Sequence, residues 1–142
     1  MYLSDEIKQL VKFHHIGIAV RSFEKSLNYY NALGYECSIP VIDPHQEVEL
    51  ILCKSDVFPW VELIKPISDD SPVMNYLKNA KEAMYHQCYT TTDINRTLDL
   101  LKTKNRVICV SKPYPAVLFY GEKVSFYYIS GVGLMEFIEG NE

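Results

Sequence analysis

The sequence has no surplus of basic residues and no long apolar run. Its 142 residues contain 14 Lys and Arg against 18 Asp and Glu, giving a formal net charge of -4. Proteins that bind a nucleic-acid backbone depend on a basic field, so this class is not expected. The apolar runs are far shorter than the roughly 20 residues that cross a bilayer. The N-terminus also lacks the basic start and apolar core of a signal peptide. We therefore expect a soluble, cytoplasmic protein that binds neither nucleic acid nor membrane.

Cysteine is sparse, and no Gly/Ser-rich linker or charge block divides the chain. The four cysteines form no C-x-x-C pair, and in a chain that is not exported they are interpreted as reduced thiols of the core. Hydrophobic residues make up 48% of the sequence, enough for a buried core and too many for intrinsic disorder. The length fits one domain.

The chain contains an internal repeat. In the first half, an apolar β-branched segment, Phe13–Val20, predicts a buried strand, and Ser22 is a plausible N-cap for the helix that follows. Gly34 is placed to end that helix. The helix carries apolar residues at helical spacing, and three strand candidates follow it. These are Phe23, Leu27 and Tyr30 for the helix, then Tyr35–Ile39, Val48–Cys53 and Trp60–Ile64 for the strands.

The second half repeats this pattern. Met84–Thr91 predicts a strand, Asp93 replaces Ser22 as the N-cap, and the apolar helix positions recur 71 residues later as Ile94, Leu98 and Leu101. The strands predicted after the helix are Arg106–Val110, Ala116–Tyr120 paired with Val124–Ile129, and Leu134–Glu139.

The repeat predicts two tandem βαβββ modules, over residues 11–66 and 83–140. A linker over residues 67–82 is predicted to hold one short helix, capped by Ser71 with Pro72 at its first position. One module exposes an apolar sheet face that it cannot bury alone. We therefore predict an α+β fold in which both modules form one curved, eight-stranded mixed sheet around a metal-binding cleft.

Polar residues follow the same repeat. His15 recurs as His86 after 71 positions, and Glu62 recurs as Glu136 after 74, which fits a slightly longer hairpin in the second half. Both glutamates lie among apolar residues, where an unpaired charge is costly to bury. Two imidazoles and two carboxylates brought together would bind a divalent cation, which would neutralise the acids. The sequence therefore predicts a metal site of His15, Glu62, His86 and Glu136.

These segments resemble the vicinal oxygen chelate superfamily, which includes glyoxalase I, methylmalonyl-CoA epimerase, extradiol dioxygenases and bleomycin-resistance proteins. His14–Val20 (HHIGIAV) is similar to its opening strand, and Gly133–Glu136 (GLME) to its last ligand strand. Val61–Pro66 (VELIKP) with the following Asp70–Val73 (DSPV), and Tyr85-His86, are closest to the epimerase branch. The resemblance covers about residues 11–139.

The resemblance implies an enzyme that removes a proton next to a carbonyl and stabilises the enolate on a divalent metal: Co, Mn, Ni, Zn or Fe(II). Glu49 matches the position of the epimerase base, and Glu136 would serve as the second acid/base. Strand alternation places Glu47, Glu49 and Ile51 on one face, so Glu49 points inward only if Glu47 lies at the rim.

The same resemblance implies a small carbonyl or thioester substrate and a homodimer. The segment from Lys112 to Val124 lacks the small, Gly-rich loop typical of CoA epimerases, so a different carbonyl compound stays open. Three alternatives also stay open: a glyoxalase I-like lactoylglutathione lyase, a metal-free binding protein of the bleomycin-resistance kind and, less favoured because of Glu62, a ring-cleaving dioxygenase.

Overall fold

The computed structural model describes residues 3–140. Within that range the chain forms four helices and nine strands. They follow one another as α1 (Leu3–Leu10), β1 (Val11–Val20), α2 (Glu24–Ala32), β2 (Glu36–Cys37), β3 (Val41–Asp43), β4 (Val48–Lys54), β5 (Trp60–Pro66), α3 (Met74–Leu77), β6 (Glu82–Thr91), α4 (Ile94–Lys102), β7 (Val107–Pro115), β8 (Lys123–Ile129) and β9 (Gly133–Glu139). None of the helices in the described range has the length and apolar character needed to cross a membrane.

The chain divides into two compact units. The central unit comprises His15–Tyr85, and the terminal unit comprises the described residues up to His14 together with those from His86 onward. The predicted α+β class is confirmed, since both units combine helices with strands in parallel and antiparallel pairing. The described residues form nine strands, one more than the predicted eight-stranded sheet, and the short strand β3 pairs with β4 outside the main strand order.

In the central unit the strand order is β2-β4-β5-β1, with β3 pairing with β4. β1 and β5 run parallel, while β4 runs antiparallel to β2 and β5. Helix α2 packs on one face of these strands through the three apolar positions predicted for it. The core there consists of Tyr35, Ile51, Cys53, Val61 and Leu63, with Phe23, Leu27 and Tyr30 of the helix segment against it.

In the terminal unit the strand order is β6-β9-β8-β7. β6 and β9 run parallel, and β8 is antiparallel to both of its neighbours. Helix α4 packs on one face of the sheet, again through the predicted positions. The buried cluster consists of Ile94, Tyr127, Ile129, Met135 and Phe137, with Leu98 and Leu101 against it.

Two of the predicted helix ends are confirmed in atomic detail. The Asp93 side chain accepts a hydrogen bond from the Arg96 backbone N–H at 3.0 Å, as an N-cap does. Gly34 follows α2 at φ +88°, and the N–H groups of Gly34 and Tyr35 donate to the carbonyls of Asn31 and Tyr30. This pair of bonds is a Schellman motif, which requires the left-handed conformation that glycine adopts without strain.

Other local predictions are wrong. Ala116–Tyr120 is a turn region and not a strand; β8 pairs instead with the longer strand β7. Ser71 does not cap α3, which begins at Met74, because its hydroxyl donates to the carbonyl oxygen of Gln46 at 2.8 Å. Helix α1 and strand β3 were not predicted. Each is short, with eight residues in α1 and three in β3.

Candidate functional site

His15 and Glu62 form a buried pair in the central unit. Gly17 of β1 stands opposite Glu62 of β5 in this parallel strand pair. Because side chains alternate along a strand, His15 shares the face of Gly17 and therefore that of Glu62. The His15 Nε2 atom lies 3.7 Å from Oε1 of Glu62, and the two residues are 0% and 4% exposed. The central unit thus holds one imidazole and one carboxylate side by side, away from solvent.

His86 and Glu136 form the corresponding pair in the terminal unit. Cys88 of β6 stands opposite Glu136 of β9, so His86 and Glu136 share a face by the same alternation. The His86 Nε2 atom lies 3.0 Å from Oε1 of Glu136, and both residues are buried. The edge of the Phe126 ring contacts the His86 imidazole, with ring centroids 5.4 Å apart. This packing fixes the orientation of the imidazole.

The two pairs have the same register. In each unit the glutamate stands opposite the residue two places after the histidine, on parallel neighbouring strands. In each unit the pair also lies on the sheet face opposite the one covered by a helix, because the helix-packed cores contain the residues that flank each glutamate. The structure therefore builds the same half-site twice.

Loop lengths explain why the glutamates recur after 74 positions and the histidines after 71. The connection between β7 and β8 spans residues 116–122, whereas the one between β3 and β4 spans only residues 44–47. The longer hairpin predicted for the second half is thus present, and the strand register after it is restored.

The donor chemistry of each half-site suits a borderline divalent cation. An imidazole nitrogen and a carboxylate oxygen are ligands for Mn, Fe(II), Co, Ni and Zn. A buried carboxylate is costly unless a positive charge compensates it, and a cation supplies that charge. All four residues are buried and are of the kind that could hold a metal ion. The residues present therefore fit the group that the sequence predicts.

The structure places Glu49 away from its predicted position. Glu49 stands opposite Lys65, while Glu62 stands opposite Leu52. Glu49 and Leu52 are three positions apart on β4, so their side chains point to opposite faces of the sheet. Glu49 therefore points to the face packed by α2, and Glu62 points to the other face. An oxygen of Glu49 lies 3.0 Å from the Lys65 ammonium, and the two side chains are partly exposed. The register does not support Glu49 as a base beside Glu62.

Asp43 is a buried carboxylate that the sequence analysis did not select. Asp43 of β3 stands opposite Val48 of β4, so its side chain lies on the same face of the sheet as Glu62. Its Oδ1 atom accepts the backbone N–H of His45 at 2.9 Å, which is an Asx-type turn. This hydrogen bond stabilises the turn that follows β3.

A family model for the glyoxalase, bleomycin-resistance protein and dioxygenase superfamily matches residues 14–126, which include most of both units. The chain belongs to this superfamily. The match confirms the resemblance drawn from the opening strand and the repeat. It includes three of the four half-site residues and ends before Glu136.

Among curated members of the superfamily, the chain is similar to methylmalonyl-CoA epimerases. It is 31% identical to the mitochondrial enzyme of Bos taurus over 127 residues, which are 87% of this chain and 70% of the relative. It is 28% identical to the mitochondrial enzyme of Dictyostelium discoideum over 117 residues, 81% of this chain and 69% of the relative. These relatives belong to the epimerase branch, to which the Val61–Val73 segment is similar.

Solved structures share the fold of this chain. A methylmalonyl-CoA epimerase of Streptomyces coelicolor in complex with 2-nitronate-propionyl-CoA superposes with a TM-score of 0.73 at 23% identity, covering 94% of this chain and 99% of that one. A hypothetical protein of Bacillus halodurans superposes with a TM-score of 0.77 at 26% identity, covering 93% and 96%.

Proposed function

We propose that this protein is a metal-dependent epimerase-like isomerase, which removes and returns a proton on the carbon next to a substrate carbonyl. The observation that carries the proposal is the identical register of the two His–Glu half-sites, each with a buried imidazole and a buried carboxylate. The similarity to methylmalonyl-CoA epimerases supports the same reaction class.

In this proposal His15, Glu62, His86 and Glu136 bind one divalent cation. The two carboxylates would balance the charge of the ion, and the two imidazoles would add neutral nitrogen ligands. Four protein ligands would leave room on the ion for water or substrate. When bound, such a cation supplies Lewis-acid stabilisation of the negative charge that develops on the carbonyl oxygen.

The proton transfer is assigned to a carboxylate of the chain. One Glu136 oxygen lies against the His86 Nε2 atom, which holds the carboxylate in place on β9. In the proposed reaction Glu136 would act as acid/base if its bond to the cation is labile, and the oxygen so released would accept the proton from the substrate carbon and return it. Inversion of a stereocentre needs another acid/base on the opposite side of the planar intermediate. The prediction that Glu49 is that group is tested below by Glu49→Gln, and the register of β4 argues against it.

The proposed substrate is a small acyl thioester with an acidic proton on the carbon next to the carbonyl. Another epimerase of known structure is in complex with methylmalonyl-CoA, and it shares the fold of this chain at 23% identity. A second candidate is the hemithioacetal of methylglyoxal, the glyoxalase I substrate. Glu62 does not separate the two branches, because by resemblance some bacterial glyoxalases carry the same His, Glu, His, Glu set.

Metal analysis and α-proton exchange test the proposal together. We expect purified or reconstituted protein to hold one divalent ion per chain and to exchange the α-proton of methylmalonyl-CoA for deuterium. His86→Ala and Glu62→Ala should lose the ion and the exchange. Glu136→Gln should lose exchange even where metal is retained. Exchange with the hemithioacetal alone would favour the glyoxalase I-like lyase. Failure of wild-type protein to take up Co, Mn, Ni, Zn or Fe(II) would refute the proposal that the protein is a metal-dependent enzyme.

Glu49→Gln provides the matched variant on the opposite face of the sheet. Because Glu49 points toward α2 and Lys65, we expect this variant to keep both the ion and the exchange. Loss of exchange with the ion retained would restore Glu49 as a base.

A further inference from the structure

Two free cysteines contact each other in the central unit. Cys37 of β2 stands opposite Cys53 of β4, and their Sγ atoms are 2.8 Å apart. This site lies on the helix-packed face of the sheet, because Cys53 belongs to the core cluster beneath α2. It is therefore separate from the His15–Glu62 pair, which lies on the other face, and nothing in the proposed reaction uses it.

The strand register brings these two cysteines as close as cross-strand neighbours can be. The N–H of Ser38 donates to the carbonyl of Leu52 at 2.9 Å, so Ser38 and Leu52 form a hydrogen-bonded pair. The neighbouring pair, Cys37 and Cys53, is therefore a non-hydrogen-bonded pair. In such a non-hydrogen-bonded antiparallel pair the Cα atoms are only about 4.5 Å apart. This value falls within the roughly 4.4–6.8 Å that a disulfide spans. The backbone can accept a bond without moving.

The two thiols differ in access to solvent. Cys37 is partly exposed at the edge strand, whereas Cys53 is completely buried. Burial raises the pKa of the Cys53 thiol well above its ordinary value, and the adjacent Cys37 raises it further. A thiolate is the form that reacts with oxidants. The exposed partner is therefore the one that a small oxidant reaches first.

We propose that Cys37 and Cys53 form a peroxide-oxidisable dithiol site. The Cys37 thiolate attacks one oxygen of a hydroperoxide, breaks the O–O bond and becomes a sulfenic acid, while hydroxide or alkoxide leaves. The Cys53 sulfur then loses its proton and attacks the Cys37 sulfur, which releases water and closes the disulfide. The peroxide is reduced by two electrons, and the two thiols are oxidised by two.

The disulfide would join the edge strand β2 to β4 and close a loop over residues 38–52. That loop contains β3 and the turn at Asp43. Closing a loop removes conformations from the unfolded chain and so stabilises the fold. The oxidised protein should therefore unfold at a higher temperature than the reduced protein.

The experiment uses full-length protein carrying Cys109→Ser, because Cys109 is exposed and could cross-link two molecules. The reduced protein is treated with hydrogen peroxide and digested without reducing agent. We expect one disulfide that joins the Cys37 and Cys53 peptides, with Cys88 still a thiol. The bond should reverse with dithiothreitol and raise the unfolding midpoint. Closure should accelerate with pH, by about tenfold per unit while Cys53 remains mostly protonated.

Two single variants separate the steps. Cys53→Ala should retain the sulfenic acid on Cys37, which dimedone traps, whereas the protein with both thiols should give little adduct. Cys37→Ala should react slowly with peroxide at Cys53. Oxidation of Cys37 to sulfinic acid with Cys53 unchanged, in protein that holds both thiols, would overturn the proposal. So would equal dimedone labelling with and without Cys53. If Cys53→Ala fails to fold, the peptide map alone decides.

Discussion

Glu62→Leu should have opposite effects on the stability of the metal-free and the metal-loaded protein. Glu62 is 4% exposed and lies beside the His15 imidazole. Replacing a buried ionic group by an apolar side chain of similar size is often neutral or stabilising, by up to about 4 kcal/mol. We therefore expect the metal-free variant to unfold at or above the midpoint of metal-free wild type.

The metal-dependent shift should almost disappear in the variant. A ligand at 100 times its Kd stabilises the folded state by about 2.7 kcal/mol. For 142 residues, an unfolding entropy of about 2.1 cal/mol/K per residue converts this to a rise in Tm of about 9 °C. Loss of an outer partner of a metal ligand already costs about 10–100-fold in affinity. If loss of the Glu62 ligand weakens metal binding by about 100-fold, the rise in Tm at the same metal concentration falls to roughly 1 °C.

Differential scanning calorimetry with and without Mn, Co, Ni or Zn measures both effects. Leu52→Val is the matched control, because Leu52 stands opposite Glu62 and is buried but offers no ligand atom. Loss of one methylene there should lower Tm by about 3 °C in both states and leave the metal shift intact. The reasoning is refuted if Glu62→Leu keeps the full metal shift, or if wild type shows none with any of these ions.

Three smaller changes test the local structure. Asp93→Ala should lower the free energy of unfolding by about 1 kcal/mol because it removes the N-cap of α4. Ser22→Ala should cost almost nothing, because the Ser22 hydroxyl lies 3.5 Å from the Glu24 backbone N–H. Equal losses of stability in thermal melts of the two variants would contradict this. Gly34→Ala should cost about 1–2 kcal/mol through its positive φ alone, because no atom lies within 4 Å of the added Cβ, and an unchanged melt would contradict this. The hydrogen-bonded Arg96 guanidinium lowers the pKa of Glu6 below its ordinary value of 4.5. The stability that this pair adds should therefore be present at neutral pH and lost as the pH falls below 4.5. A difference in Tm between wild type and Glu6→Gln that persists in acid would contradict this.

Features that depend on local chemistry were predictable from the sequence. The helix cap at Asp93 and the left-handed Gly34 follow from side-chain and backbone preferences within a few residues. The helix faces follow from apolar spacing, and the histidine and glutamate pairs follow from the repeat. In each case the signal lies in the spacing of residue types along the chain, which tertiary packing does not alter.

Features that depend on pairing between distant strands, and that the internal repeat does not mark, were not predictable. The face of Glu49 is set by its pairing with Lys65, and no pattern within β4 distinguishes it from the opposite face, because burial there is nearly continuous. The contact between Cys37 and Cys53 arises only because β2 returns against β4. The turn at Ala116–Tyr120 is apolar enough to resemble a strand, but positive φ values at Tyr120 and Gly121 reverse the chain there.

The repeated register argues that the half-sites are constrained and not incidental. A slip of one residue in either parallel strand pair would move the glutamate to the helix-packed face of the sheet, the face on which Glu49 lies. The connections before the glutamate strands differ in length between the two units, yet each glutamate returns to the position opposite the residue two places after a histidine. Packing alone would be satisfied by any apolar residue at that position, and burying a carboxylate there costs stability. The two buried carboxylates in equivalent positions therefore support the proposed ligand role of each glutamate.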